Sequence, residues 1–139
     1  MLDGGCHCGN LSLAFDTALQ PAATAPRACD CGFCTAHGAA WLSDAGGGLA
    51  VTVRDPAVLA RYRQGSGTAQ FLLCRDCGVL VAVVFEEEGA LRGAVNVRCL
   101  RRASEFAGDV EVSPQRLPAE ARQARWRELW IPRVRIEGG

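Results

Sequence analysis

Seven of the chain's eight cysteines fall into three tight clusters, Cys6-His7-Cys8, Cys29-Asp30-Cys31-Gly32-Phe33-Cys34 and Cys74-Arg75-Asp76-Cys77. Such a chain gathers its sulfurs either around metal ions or in disulfides, and that choice limits the fold more than any other feature. Disulfide scaffolds belong to secreted chains. A secreted chain begins with a basic segment, an apolar run of about 7–15 residues and a small-residue cleavage site. The opening Met1-Leu2-Asp3-Gly4-Gly5-Cys6 has none of these, and the longest apolar run, Val79 to Phe85, is far short of the roughly 20 residues that cross a bilayer. A soluble, cytoplasmic protein is expected. In a reducing compartment, clustered cysteines are metal ligands or redox groups more often than bridges.

At 139 residues the chain has the size of one domain. Fifteen acids offset fifteen bases, a balance that argues against a polyanion-binding protein. Every base is an arginine, which we read as a coding bias. Leu11, Leu13 and Phe15 alternate with smaller residues and predict a half-buried strand; Ala50 to Arg54 predicts a second. Asp55-Pro56 reads as a cap and first helical position of a short helical segment ending near Gly65-Ser66-Gly67. Ala69 to Leu73 and Val79 to Phe85 read as two strands joined by a metal-binding turn, and Ala94 to Arg98 as another strand. Ala119 to Trp130 carries helical character, with Ala121, Ala124, Arg125 and Glu128 at three- to four-residue spacing and Pro118 just ahead. Its Arg122, Arg125 and Arg127 read as a solvated face, and no nucleic-acid partner is expected. The expected fold is small and mainly β, cross-linked by metal, with a short C-terminal helix: one zinc-binding domain over 1–130 and a tail over 131–139.

Two cysteines separated by two residues can aim both sulfurs at one ion from a tight turn, and zinc takes four such ligands in tetrahedral array. Gly9 and Gly78, which follow Cys8 and Cys77, allow the positive backbone dihedral such turns use. A thioredoxin-like redox pair would precede a helix, whereas Cys77 precedes the strand-like Val79-Leu80-Val81. Two separated pairs, Cys6 and Cys8 with Cys74 and Cys77, complete a closed four-cysteine structural site. Cys29, Cys31 and Cys34 then remain on one loop and supply three ligands. An external thiol would complete that site and be held as thiolate, the form that attacks a carbonyl carbon; alternatively His37 or Cys99 closes it and both ions are structural. A zinc ribbon of Cys31, Cys34, Cys74 and Cys77 ranks lower because it strands Cys6, Cys8 and Cys29. Cys99 reads as a small buried hydrophobe and His7 as a surface or supporting group.

Four blocks together resemble the glutathione-dependent formaldehyde-activating enzyme family, which shares its domain with centromere protein V. They are Gly5-Cys6-His7-Cys8-Gly9-Asn10, Cys29 to Cys34 followed by His37-Gly38-Ala39, Phe71 to Val79, and Ala94-Val95-Asn96-Val97-Arg98. The Arg125-Trp126 region looks similar as well. The resemblance implies an Mss4-like β fold and two zinc ions, a structural one on Cys6, Cys8, Cys74 and Cys77 and a second, catalytic one on Cys29, Cys31 and Cys34. It implies carbon–sulfur lyase chemistry, such as forming S-hydroxymethylglutathione from glutathione and formaldehyde. The chain departs from the family's pattern at Gly32, where serine is common, and at Thr35, where a basic residue is frequent. No catalytic side chain beyond the metal ligands is assigned. Arg27 and Arg75 flank the clusters as candidates for the carboxylates of glutathione. Two competing functions are a non-catalytic zinc-binding interaction module and a zinc store or sensor.

Overall fold

The computed structural model describes residues 1–138. Along the chain the strands are β1 (Leu2–Gly5), β2 (Leu11–Asp16), β3 (Arg27–Cys29), β4 (Trp41–Leu42), β5 (Gly48–Val53), β6 (Leu59–Tyr62), β7 (Ala69–Cys74), β8 (Leu80–Glu87), β9 (Ala90–Asn96), β10 (Val110–Val112) and β11 (Arg133–Gly138). Two α-helices accompany them, α1 (Gly32–His37) and α2 (Ala119–Leu129). The fold is mainly β, as the sequence predicts. One sheet has the order β1-β2-β5-β11, antiparallel except for the parallel β5–β11 pair. The other runs β10-β3-β4-β9-β8-β7-β6, antiparallel except for β10–β3.

Alternation explains the smaller sheet. Leu11, Leu13 and Phe15 of β2 and Leu49, Val51 and Val53 of β5 are buried while their neighbours are not, so one face packs inward and the other meets water. That inner face lies against Leu72, Ala82, Val84 and Val95 of the larger sheet, forming the main core. Strand β8 does not alternate, because its first six residues are all buried. Ala82 and Val84 belong to the main core, while Leu80 and Val83 pack on the opposite face with Phe71, Ala94 and Cys34. A strand covered on both sides reads as a continuous apolar run. The second face of the larger sheet is where the candidate site lies.

The sheets also meet edge-on. The backbone of Gly4 bridges Leu100, and the Arg101 N–H donates to the Asp3 carbonyl at 3.0 Å. A Cβ at Gly4 would fall 2.1 Å from the Cys99 carbonyl oxygen, so only glycine permits this approach.

Three expectations change. In the stretch expected as a tail, 131–139, the described residues are not one, since Arg133–Gly138 form β11 beside β5, with Val134 buried in the core. After Pro56 only a 3₁₀ turn forms, over Pro56–Val58, with the Asp55 carboxylate accepting from the Ala57 N–H at 3.0 Å. The chain then enters β6, whose backbone groups pair with β7 from Leu59 opposite Cys74 to Tyr62 opposite Phe71. The strand expected over Ala94 to Arg98 ends at Asn96, whose side chain accepts from the Arg98 N–H and caps a 3₁₀ turn over Val97–Cys99. Among the described residues, no helix is long and apolar enough to cross a membrane.

Candidate metal centres and cleft

Cys6 and Cys8 stand in the β1–β2 turn, Cys74 closes β7, and Cys77 lies in the turn to β8. Both turns are built by the backbone: Cys6 N–H donates to the Leu11 carbonyl at 2.9 Å, and Gly78 N–H to the Cys74 carbonyl at 2.8 Å. Gly9 and Gly78 have φ of 87° and 77°, as the sequence predicts. All four Sγ atoms lie within 4.8 Å of one another. Cys6 and Cys8 are 3.7 Å apart, and Cys8 and Cys74 3.5 Å. A disulfide would need about 2.05 Å. Sulfurs placed about 2.3 Å from a central ion at tetrahedral angles are about 3.8 Å apart. The observed spacing therefore suits a shared metal ion, and all eight cysteines are free thiols.

The second group is local. Cys29 ends β3, Cys31 is the N-cap of α1, and Cys34 lies in the first turn of that helix. The Cys31 sulfur accepts from the Cys34 N–H at 3.3 Å, which folds the segment back on itself. The three Sγ atoms again lie within 4.8 Å of one another and could hold a metal ion. Between two of them, Asp30 is fastened to the β10 side: its carboxylate accepts from Ser113 Oγ at 2.5 Å and from Gln115 Nε2 at 3.0 Å, and its N–H donates to the Val112 carbonyl. Gln64, on the β6–β7 loop, donates from Nε2 to the Cys31 sulfur at 3.4 Å.

Hydrogen bonds among the sulfurs set the thiols of each group apart. The Cys34 hydrogen bond lowers the Cys29 thiol to about 6. Cys34, holding the proton of that bond and buried, is pushed well up. In the other group, Cys8 rises to about 12: an amide hydrogen bond at Asn10 favours its thiolate, but hydrogen bonds with neighbouring sulfurs, Cys74 foremost, outweigh it. Cys77 falls to about 6 despite desolvation, because backbone and sulfur donors favour its thiolate. Without a metal, each group thus divides its protons unevenly. A divalent ion compensates the charge of several thiolates at once and releases the remaining protons.

The two groups differ in what they face. Cys29, Cys31 and Cys34 line a cleft of about 560 Å³ that the four-cysteine group does not touch. Its walls include Trp41, Phe71, Trp126 and Trp130, together with Arg27, Arg122 and Arg125. The size is that of a small-molecule site. Cys31 and Cys34 belong to a different group from Cys74 and Cys77, so the zinc-ribbon alternative does not form. Among the described residues, neither His37 nor Cys99 joins the three sulfurs. His37 is exposed against Phe33, and the Cys99 sulfur lies 3.1 Å from the Asn96 carbonyl, half-buried at the edge of the core. His7 is exposed and outside both groups. Of the two flanking arginines, Arg27 lines the cleft and Arg75 does not.

Sequence reasoning missed Gln64, Ser113 and Gln115, whose roles depend on distant loops. The helix expected from Ala119 forms, and Arg125 and Arg127 are exposed as the sequence suggests. What the sequence did not show is that Arg122, Arg125, Trp126, Leu129 and Trp130 line the cleft.

No protein-family model matches the chain, and no curated protein matches it. Among solved structures, the crystal structure of a Rhodobacter sphaeroides protein, a Northeast Structural Genomics target, is 31% identical with a TM-score of 0.54. The match covers 71% of this chain and 87% of that one. With that identity over most of both chains, this protein belongs to the same family as the Rhodobacter sphaeroides protein.

Proposed function

We propose that the protein is a zinc-dependent enzyme of the carbon–sulfur lyase type, working in a reducing cytoplasm on the adduct of a thiol and an aldehyde. S-hydroxymethylglutathione, made from glutathione and formaldehyde, is the example its sequence resemblance suggests. The observation that carries this reading is the three-cysteine group opening into the cleft. Four cysteines are the donor set of a closed structural zinc, and three are the set of a site that takes an outside ligand. Zinc held by Cys29, Cys31 and Cys34 would supply the charge that keeps an added thiol ionised.

The remaining contributions belong to the chain. Cys31 and Cys34 are fixed by the first turn of α1, and Cys29 by the Asp30 anchorage to Ser113 and Gln115. Trp41, Phe71 and Trp130 line the cleft with aromatic surface. Holding two small reactants in one place gives large rate factors by itself. Joining a thiol to an aldehyde forms one C–S bond, leaves the carbonyl π pair on oxygen, and ends with a proton there. The thiol loses one proton and the oxygen gains one, so no net proton donor is needed. Among the described residues, the cleft lining contains no histidine, aspartate or glutamate.

The test is the rate of hemithioacetal formation by the zinc-loaded protein with glutathione and formaldehyde, followed by NMR. Acceleration is expected, falling to background in a folded Cys31→Ala variant. Full activity in that variant would sink the proposal. Two tightly held zincs indifferent to thiol would favour the interaction module; one zinc lost rapidly to a mild chelator, without acceleration, would favour the store or sensor.

A further inference from the structure

Four strands end the two sheets, β1 and β11 in the smaller and β10 and β6 in the larger. An edge strand leaves alternate backbone N–H and carbonyl groups unpaired, and native chains blunt such edges by covering them, shortening them or charging them. Three of the four edges are managed in these ways. β1 is covered where Gly4 bridges Leu100 and the Arg101 N–H donates to the Asp3 carbonyl. β10 has three residues, with Glu111 its one charge. β6 has four and carries Arg61, with Arg63 just beyond, so a second copy laid antiparallel on it would set arginine against arginine.

β11 differs on each count. It runs for six residues, Arg133–Gly138, and among the described residues the backbone of this strand bonds only to β5. Arg133, Arg135 and Glu137 are exposed on one face, whereas Val134 is buried and Ile136 half-buried on the other. The exposed face therefore carries both signs of charge. Arg135 Nε lies 3.2 Å from Glu137 Oε1, an ion pair that both side chains make largely in water.

Opposite charges two residues apart make a strand complementary to itself. Turned about a two-fold axis at Ile136, a second copy sets Arg135 opposite the partner's Glu137, and Glu137 opposite the partner's Arg135. Each arginine then meets its own chain's glutamate along the strand and the partner's across it, so the four charges alternate in sign round a square. On the other face Ile136 meets the partner's Ile136 and extends the apolar inner surface of the sheet. Centring on Arg135 or on Glu137 would oppose like charges. A slip of one residue would set the inner face of one copy beside the outer face of the other. The favoured register uses residues 134–138 and leaves Pro132, which has no N–H to donate, outside the pairing.

We propose that the free edge of β11 is a self-association surface, through which two copies of this chain pair antiparallel about Ile136 and join two four-stranded sheets into one of eight. The contact is isologous and uses up the edge, so association stops at two. Five residues a side is small beside the roughly 1,000 Å² of a lasting interface, so the dimer is a transient one. Nothing in it depends on the chemistry of the cysteine groups.

The experiment is analytical ultracentrifugation of the metal-loaded protein from about 10 μM to about 1 mM, the range in which small interfaces associate. Mass is expected to rise from one chain towards two and no further. E137R and R135E, each of which opposes like charges at both ends of the pairing, should weaken the dimer about tenfold or more. An equal mixture of the two variants should recover it, since each then meets the opposite charge in the other. A mass of one chain throughout, a variant that dimerises as wild type does, or a mixture no stronger than its components overturns the proposal. If either variant does not fold, amide exchange of the wild-type chain decides. Protection within residues 134–138 should grow with concentration while β6 and β10 stay unchanged, and a mass that doubles without that protection would assign the dimer to another surface.

Discussion

The two cysteine groups use the same ligand atom and differ in how much chain they span. Cys8 and Cys74, whose sulfurs are 3.5 Å apart, come from opposite sheets, so the four-cysteine group staples the β1–β2 turn to the β7–β8 turn. Cys29, Cys31 and Cys34 lie within one short segment and close no long loop. Cross-linking distant segments removes much more entropy from the unfolded chain than tightening a local turn. With a metal ion bound in each, span more than ligand type would separate a group that holds the fold from one free to serve a cleft.

The largest effect should come from cutting the staple. Cys74→Ser is expected to abolish the folded state, because a structural metal contributes on the order of 10 kcal/mol, comparable with the whole stability of a domain. Loss of near-ultraviolet circular dichroism would register it, and a folded variant binding one metal fewer would break the comparison. Cys29→Ser should leave the chain folded. Its cost is that of losing one local ligand site, at most about 3 kcal/mol in a urea titration. Metal removal sharpens the same point: a mild chelator should take the cleft ion first, leaving one ion per chain and an intact circular dichroism spectrum. Simultaneous loss of both ions would show that the groups are coupled.

A smaller difference separates two glycines. Gly78 holds φ of 77° in the four-cysteine group with open space around it, so Gly78→Ala meets only backbone strain, about 1–2 kcal/mol. Gly32, at the first position of α1, has open space and no positive φ, so Gly32→Ala should cost nothing measurable. Parallel thermal melts would compare them. Smallest is a surface pair outside both groups. A hydrogen bond from Arg127 holds the Glu87 carboxyl below its ordinary 4.5. A depressed folded-state pKa stabilises above the unfolded value and loses that effect as pH falls through the folded one. The stability difference between wild type and R127Q should therefore be present at pH 6 and vanish in acid, and a pH-independent difference would assign it to packing.

The strands and the cysteine grouping were legible because each rests on a short-range rule. Alternation marked β2, and a continuous apolar run marked β8, whose burial on both faces explains why it does not alternate. Paired spacing and the following glycines separated the four sulfurs from the three. The cleft was less legible, because its walls come from β3, the β6–β7 loop, the segment after β10 and α2, which only the tertiary fold brings together. Helix α2 did carry a signal, since 122, 125, 126, 129 and 130 share a face. Mixed chemistry hid it: a search for an apolar stripe passes over one in which arginine holds two of five positions. In β11, Val134 and Ile136 alternate with Arg133, Arg135 and Glu137, a strand pattern readable in the sequence but short enough to pass for a tail.

The parallel pairing of β5 with β11 also has a consequence in time. Gly48 meets Arg133 and Val53 meets Gly138, so the smaller sheet gains its last strand only when most of the chain's length has been closed into a loop. Contacts so distant in sequence form late and slowly, because the closure entropy is lost before the pairing rewards it. Until then β5 presents an unpaired edge, open to another chain's strand. Early metal capture by the four cysteines, which already fastens β2's turn to the larger sheet, would shorten the search and with it the period in which such chains can associate wrongly.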